Sequence, residues 1–184
     1  MSSGKIERLG AEVGFEGGII RAGSERFRHP DGAEVTRDKV WHPGAVGIVA
    51  LDDEYVWLTR QPREVIGDPA SLEIPAGKLD VEDEPPLETA KRELAEEIGK
   101  RAEHWSELFA FYTSPGFSDE RCWLYLATDL SGDPDHEPDP GERIEILPWP
   151  LDRLDDAIDQ CEDSKSLIAL LWLATQRRLA YGAT

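Results

Sequence analysis

Gly77-Lys-Leu-Asp-Val-Glu-Asp-Glu-Pro-Pro-Leu-Glu-Thr-Ala-Lys-Arg-Glu-Leu-Ala-Glu-Glu-Ile-Gly99 is the stretch that decides the fold. Pro85 and Pro86 suit a helix start, where a missing N–H costs nothing. Asp83 and Glu84 lie where the positive end of the helix dipole favours carboxylates, and Gly99 suits a left-handed C-terminal cap. Between them Leu87, Ala90, Leu94 and Ile98 recur at the helical period, which predicts a helix over residues 86–99 with that stripe facing the core. Glu93 and Glu97 lie one turn apart beside the stripe, and Glu96 flanks them. Like charges at that spacing weaken a helix. A hard divalent cation reverses the sign, because it prefers carboxylate oxygens and gathers several at once. A solvated acidic face is the other meaning of such a row.

Outward from the helix, the pattern mixes strands and helices without regular alternation. Ala45–Leu51 reads as a buried strand, Asp52–Glu54 as a turn, and Tyr55–Thr59 as the return strand. Leu72–Ile74 reads as a short strand ending at Pro75-Ala-Gly77. Trp105–Tyr112, Arg121–Thr128 and Ile144–Trp149 read as strands, and Asp129–Gly141 as an exposed polar loop. Leu151–Cys161 and Ser164–Tyr181 read as helices. Residues 1 to about 40 are Gly-rich and short of large aliphatic side chains, with a predicted hairpin over Phe27–Val35 turned by His29-Pro-Asp-Gly. Such a segment makes a poor core alone and is expected to pack on something else. The mixture points to α+β or a compact α/β/α sandwich.

The chain has 184 residues with 20 Lys plus Arg against 38 Asp plus Glu, a net charge of −18. Apolar residues make up 40% and charged residues 32%, the balance of a soluble globular chain. The acidic excess argues against nucleic acid or an anionic membrane as partner, since both need a dense positive face. It leaves room for a small phosphate ligand served by a metal and one or two Arg, and salt adaptation is a further meaning of the charge. Met1–Gly10 carries no signal-peptide core, and the longest apolar run, Leu167–Ala174, falls short of the roughly 20 residues a bilayer needs. Only Cys122 and Cys161 are present, too few for a disulfide framework, which fits a reducing cytosol. His29, His42, His104 and His136 show no metal-ligand spacing.

Gly77, Glu84 and the run Arg92-Glu-Leu-Ala-Glu-Glu-Ile-Gly99 strongly resemble the Nudix box of the Nudix hydrolases. The seven-residue gap from Glu84 to Arg92 is kept. Six residues instead of five separate Gly77 from Glu84, and Lys100 stands at the final aliphatic position. The resemblance implies a Nudix α/β/α sandwich with a mixed sheet over residues 42–184, plus a small N-terminal antiparallel β segment over residues 1–41. It implies Glu93 and Glu97 as main metal ligands, Glu96 sharing or bridging, and the Ala76 carbonyl completing the site. Glu84 and Arg92 are implied to brace the junction of loop and helix. The expected ion is Mg²⁺, with Mn²⁺ able to substitute; such ions neutralise a diphosphate, polarise a phosphorus and acidify water.

Looser features resemble the ADP-ribose pyrophosphatase subgroup: Val40-Trp-His-Pro-Gly-Ala-Val46, Arg60-Gln-Pro-Arg63, Leu72-Glu-Ile-Pro-Ala-Gly77, Pro115 sixteen residues after Gly99, and Lys165-Ser-Leu-Ile-Ala-Leu-Leu. These imply hydrolysis of a nucleoside diphosphate sugar, ADP-ribose above all, by a cytoplasmic homodimer whose N-terminal sheet exchanges across a two-fold axis. Glu142 matches the position of a general base, with Glu145 as fallback. Arg63 is expected to contact phosphate, with Arg60 second. Glu73 reads either as a group for a ribose hydroxyl or metal-bound water, or as an exposed strand-edge residue. Some relatives stack adenine between aromatic side chains; Ile19 and Arg37 stand at those positions here, and an Arg37 guanidinium can still stack on the ring. Another nucleotide sugar such as GDP-mannose, and a non-catalytic sensor of ADP-ribose, are the rival readings.

Overall fold

The computed structural model describes residues 4–133 and 143–182. They fall into two compact units: residues 4–44 with 111–121, and residues 45–110 with 122–133 and 143–182.

In the first unit, β1 (Glu7–Glu16), β2 (Arg21–Arg28) and β3 (Glu34–Trp41) form an antiparallel sheet in that order. The hairpin predicted over Phe27–Val35 joins β2 to β3, with Phe27 opposite Val35. His29 N–H donates to the Ala33 carbonyl, Gly32 N–H donates to the His29 carbonyl, and Gly32 takes φ +88°, the left-handed region that favours glycine. The interior of the unit is polar where a larger unit would be apolar. Lys39 and Glu25 are both buried, paired at 2.8 Å, and Lys39 also lies 3.0 Å from Asp119. Ile6, Val13, Phe15 and Ile19 are exposed.

The second unit holds a seven-stranded sheet. Its path runs β10 (Glu145–Pro150), β5 (Tyr55–Arg63), β4 (Ala45–Leu51), β9 (Arg121–Gly132), β8 (Lys100–Tyr112). β6 (Asp68–Glu73) pairs with β5, and β7 (Ala76–Lys78) pairs with β4. β4 runs parallel to β9 and antiparallel to β5 and β7, so the sheet is mixed. The helix α1 (Pro86–Ile98) follows β7, while α2 (Leu154–Gln160) and α3 (Ser164–Gly182) follow β10. One core cluster joins Val46, Ile48 and Ala50 of β4 to Ala90, Leu94 and Ile98 of α1, with Tyr125 and Ala127 of β9; Leu87 packs against it. The apolar stripe expected of the helix is thus its buried face. Gly99 closes α1 at φ +62°, its N–H donating to the carbonyls of Ala95 and Leu94.

Several boundaries differ from those expected: β5 runs on through Arg63 instead of ending at Thr59, and β6 starts at Asp68 instead of Leu72. β8 starts at Lys100 instead of Trp105, directly after the glycine cap, and β9 continues through Gly132, so residues 129–132 are strand and not loop. Polar composition misled at both ends, because neighbouring strands satisfy a polar backbone as well as an apolar one. Lys100, the departure from the aliphatic pattern, lays its ammonium 3.7 Å from the centroid of the Trp57 ring. The charge thereby meets the ring face.

The extra residue before α1 also has a visible accommodation. Glu84 N–H donates to the Val81 carbonyl across a tight turn, and Asp83 within it takes φ +61°, left-handed for a non-glycine residue. Asp is among the few residues that tolerate this region, whereas a β-branched side chain does not. Chemical denaturation should therefore show Asp83→Gly as stable as the wild type or more so, and Asp83→Val weaker by about 1–2 kcal/mol.

Candidate metal and anion site

β7 delivers the chain to α1 at close quarters. Ala76 N–H donates to Glu97 Oε2 at 2.9 Å. A Cβ placed on Gly77 would lie 1.9 Å from Glu93 Cδ, so only glycine lets the strand lie against that carboxylate. The backbone of Ala76-Gly77 is thus set against Glu93 and Glu97, the pair one turn apart. Glu97 is buried, and Glu93 is nearly so.

Arg92 organises the surrounding charges. Its Nη1 meets Glu93 Oε1 at 3.0 Å and Glu96 Oε2 at 2.8 Å. Its Nη2 meets Glu84 Oε2 at 3.3 Å, and the same Glu84 oxygen accepts the Thr89 hydroxyl at 2.8 Å. One guanidinium therefore ties the loop before α1 to the helix itself. Burial pushes the Glu93 carboxyl up to about 7; Arg92 opposes the rise, and the neighbouring Glu96 and Asp80 add to it. Buried carboxylate oxygen beside a glycine cradle is the hard donor chemistry that suits a divalent cation. Glu93, Glu96, Glu97 and the Ala76 carbonyl fit such an ion by donor type. Among the described residues no three acid, His or Cys side chains converge into a cage; Arg92 stands among the carboxylates instead.

A second cluster lies at the ends of β5 and β6. Glu73 is 2% exposed, which corrects its reading as an exposed strand-edge residue. Arg63 grips it in a two-pronged pair, Nε to Oε1 at 2.6 Å and Nη2 to Oε2 at 2.7 Å. Lys165 on the first turn of α3 reaches the same Oε2 at 2.7 Å and Asp163 at 2.9 Å. Burial works against the charge on Glu73, yet Arg63 and Lys165 overcome it and hold the carboxyl at about 2. The Arg63 cation also feels the charge of Glu97, which links this cluster electrostatically to α1.

The remaining expected residues do not join these clusters. Arg60 donates to Gln160 at 3.0 Å, away from Glu73. Glu145 opens β10 opposite Arg60 and is exposed. Arg37 is an exposed residue of β3 in the first unit, donating to its neighbour Thr36. Glu142 lies outside the described residues. Sequence reasoning missed the part played by Lys165, Asp163 and Ser166. The available signal was Asp163-Ser-Lys-Ser166 ahead of an apolar run, a helix N-cap pattern. Asp163 does cap α3, accepting the Ser166 N–H at 3.0 Å.

Comparison with known proteins gives this geometry a family. The model of the NUDIX domain matches residues 41–171. An ADP-ribose pyrophosphatase of Mycobacterium tuberculosis is 44% identical over 131 residues, 71% of this chain and 63% of that protein. The chain thus matches under two thirds of that relative's length. An ADP-ribose pyrophosphatase of Bacillus subtilis is 35% identical over 183 residues, covering 97% of this chain and 98% of that one. A methanol dehydrogenase activator of Bacillus methanolicus is 35% identical over 171 residues, 91% of each. A crystal structure described as an ADP compounds hydrolase shares the fold, with a TM-score of 0.80 at 23% identity over all of both chains.

The depressed Glu73 carboxyl makes stability depend on pH with a definite sign. Its pairing contributes fully above about pH 4.5, its ordinary value, and the contribution is lost as pH falls toward about 2. Urea melts should place Glu73→Gln below the wild type by about 3 kcal/mol at pH 7, and the gap should close steadily as the pH drops below about 4.5.

Proposed function

The chain belongs to the Nudix family, and from that premise we propose that it hydrolyses the diphosphate of a nucleoside diphosphate sugar, ADP-ribose giving AMP and ribose 5-phosphate. The observation that carries the reading is the glycine-enforced contact of Ala76-Gly77 with Glu93 and Glu97 on a motif-bearing helix. The names of the mycobacterial and Bacillus subtilis relatives support ADP-ribose as substrate.

Glu93, Glu96, Glu97 and the Ala76 carbonyl hold Mg²⁺, or Mn²⁺ in its place. When bound, the metal neutralises the diphosphate and polarises a phosphorus toward attack by water. Arg63 binds an anionic oxygen, and Arg60 is the second cation for the same group. Glu142 takes the proton of the attacking water, with Glu145 as its substitute. Glu73 serves by orienting Arg63. Arg37 stacks on the base ring.

Residues 42–184 form the catalytic domain in this reading, and residues 1–41 exchange between the copies of a homodimer. The exposed Ile6, Val13, Phe15 and Ile19 support the exchange, because a sheet with that much bare apolar surface gains by burying it. The cytoplasm is the proposed location. Two buried cysteines outside any disulfide support it. Among the described residues no helix is long and apolar enough to cross a membrane. Ile19 and Arg37 in place of an aromatic pair keep GDP-mannose and similar nucleotide sugars as the second reading.

Incubation with Mg²⁺ and a panel of nucleotide sugars should release AMP from ADP-ribose faster than any product from GDP-mannose. Chelation with EDTA should abolish release. Glu97→Gln should lower kcat by about 100-fold or more while its melting temperature stays close to the wild type. ADP-ribose binding in calorimetry without AMP release would instead mark a sensor.

A further inference from the structure

Lys165 lies far along the chain from the residues of the box, yet it is built into the cluster of Arg63 and Glu73. Asp163 caps the helix that carries it, and the Ser166 hydroxyl accepts the Ile74 N–H at 2.9 Å. Ile74 is the residue between Glu73 and the Pro75-Ala76-Gly77 approach to α1, so the start of α3 is pinned to the strand end that serves both clusters. The Lys165 side chain is 15% exposed, and its ammonium touches Glu73 and Asp163.

Charge decides what that ammonium does. Glu73 and Asp163 contribute two negative charges, and Arg63 and Lys165 contribute two positive ones. The group is neutral only with Lys165 present. Without it the patch carries one net negative charge, beside the carboxylates of α1 and facing a substrate that is itself anionic. Geometry agrees. Lys165 Nζ and Arg63 Nη2 share Glu73 Oε2, while Arg63 Nε takes Oε1, so the carboxylate is held at both oxygens. With its Nε and Nη2 edge fixed on Glu73 and its side chain 42% exposed, Arg63 keeps its Nη1 edge for another anion.

We propose that Lys165 is a positioning residue for the substrate diphosphate: it neutralises and fixes Glu73, so that Arg63 presents its remaining guanidinium edge to an anionic phosphate oxygen. The inference rests on the reading of the chain as a diphosphate hydrolase. It assigns Lys165 to binding, not to the chemical step.

The test is steady-state kinetics of the full chain with Mg²⁺ and ADP-ribose. Lys165→Met should raise KM about tenfold or more and leave kcat within about threefold. Arg63→Met should do the same, and the double variant should be no worse than the poorer single one, because both act through one contact. Lys165→Arg should restore KM to within about threefold. A merely structural role predicts instead a fall in kcat with no recovery of KM in Lys165→Arg. An unchanged KM in Lys165→Met, a kcat that falls with it, or multiplying effects in the double variant each overturns the proposal. Should Lys165→Met fail to fold, Lys165→Gln is read against the same expectations. Should the wild type hydrolyse no nucleotide sugar, the functional reading fails by itself. Calorimetry with inorganic pyrophosphate then judges the positioning role: about tenfold weaker binding in Lys165→Met supports it, and equal binding refutes it.

Discussion

Carboxylates crowded onto one turn of a helix need cations, and the architecture of the second unit follows from that need. Glu93, Glu96 and Glu97 lie beside a stripe that must face the core, so their charges cannot all retreat into water. Arg92 answers part of the need by gathering Glu84, Glu93 and Glu96 onto one guanidinium. Gly77 answers another part by letting the strand backbone come against Glu93, and Ala76 donates its N–H to Glu97. Burial still holds the Glu93 carboxyl above the usual carboxylate range, against the pull of Arg92. In the proposed reaction a divalent ion adds further positive charge beside it.

The same arithmetic recurs at two further buried acids. Glu25 in the first unit is matched by Lys39, and Glu73 in the second by Arg63 with Lys165. Removing one partner of such a pair leaves an uncompensated charge, which costs far more than the intact pair contributes. Glu25 and Glu73 are therefore each fixed by a cation, and the cation by its acid. Position, more than stability, is the result. A guanidinium gripped on one edge points its other edge in one direction.

Local patterns were legible in the sequence to the extent that they are local. The 3.6-residue recurrence of Leu87, Ala90, Leu94 and Ile98, the Pro start and the Gly99 cap required no partner to be recognised, and Ala45–Leu51 announced a buried strand by composition alone. The ends of β8 and β9 were not legible, because Lys100-Arg-Ala-Glu-His104 and Asp129-Leu-Ser-Gly132 become strand through pairing and not through propensity. The row of Glu on α1 was visible as a spacing; that Arg92 would hold two of them together was not. Glu73 was the hardest case. In Leu-Glu-Ile a polar residue between two apolar ones reads as the solvent side of a strand, and what reverses that meaning is a lysine 92 residues later.

The charge of −18 acquires a meaning from this arrangement. An acidic surface raises the local concentration of divalent ions and lowers that of free diphosphates. In the proposed reaction the two reactants therefore meet opposite fields, and the protein must correct the second locally. Arg63 alone cannot, since Glu73 cancels its charge at 2.6 Å and Asp163 leaves the group one negative charge over. Only a further cation, itself removed from solvent so that water does not screen it, restores a neutral patch beside the helix. Lys165 occupies that place, which makes it a condition for Arg63 to meet an anion at all. The more acidic the surface, the more an anionic ligand depends on the local neutrality that Lys165 supplies, which connects the composition of the whole molecule to the bonding of one ammonium group.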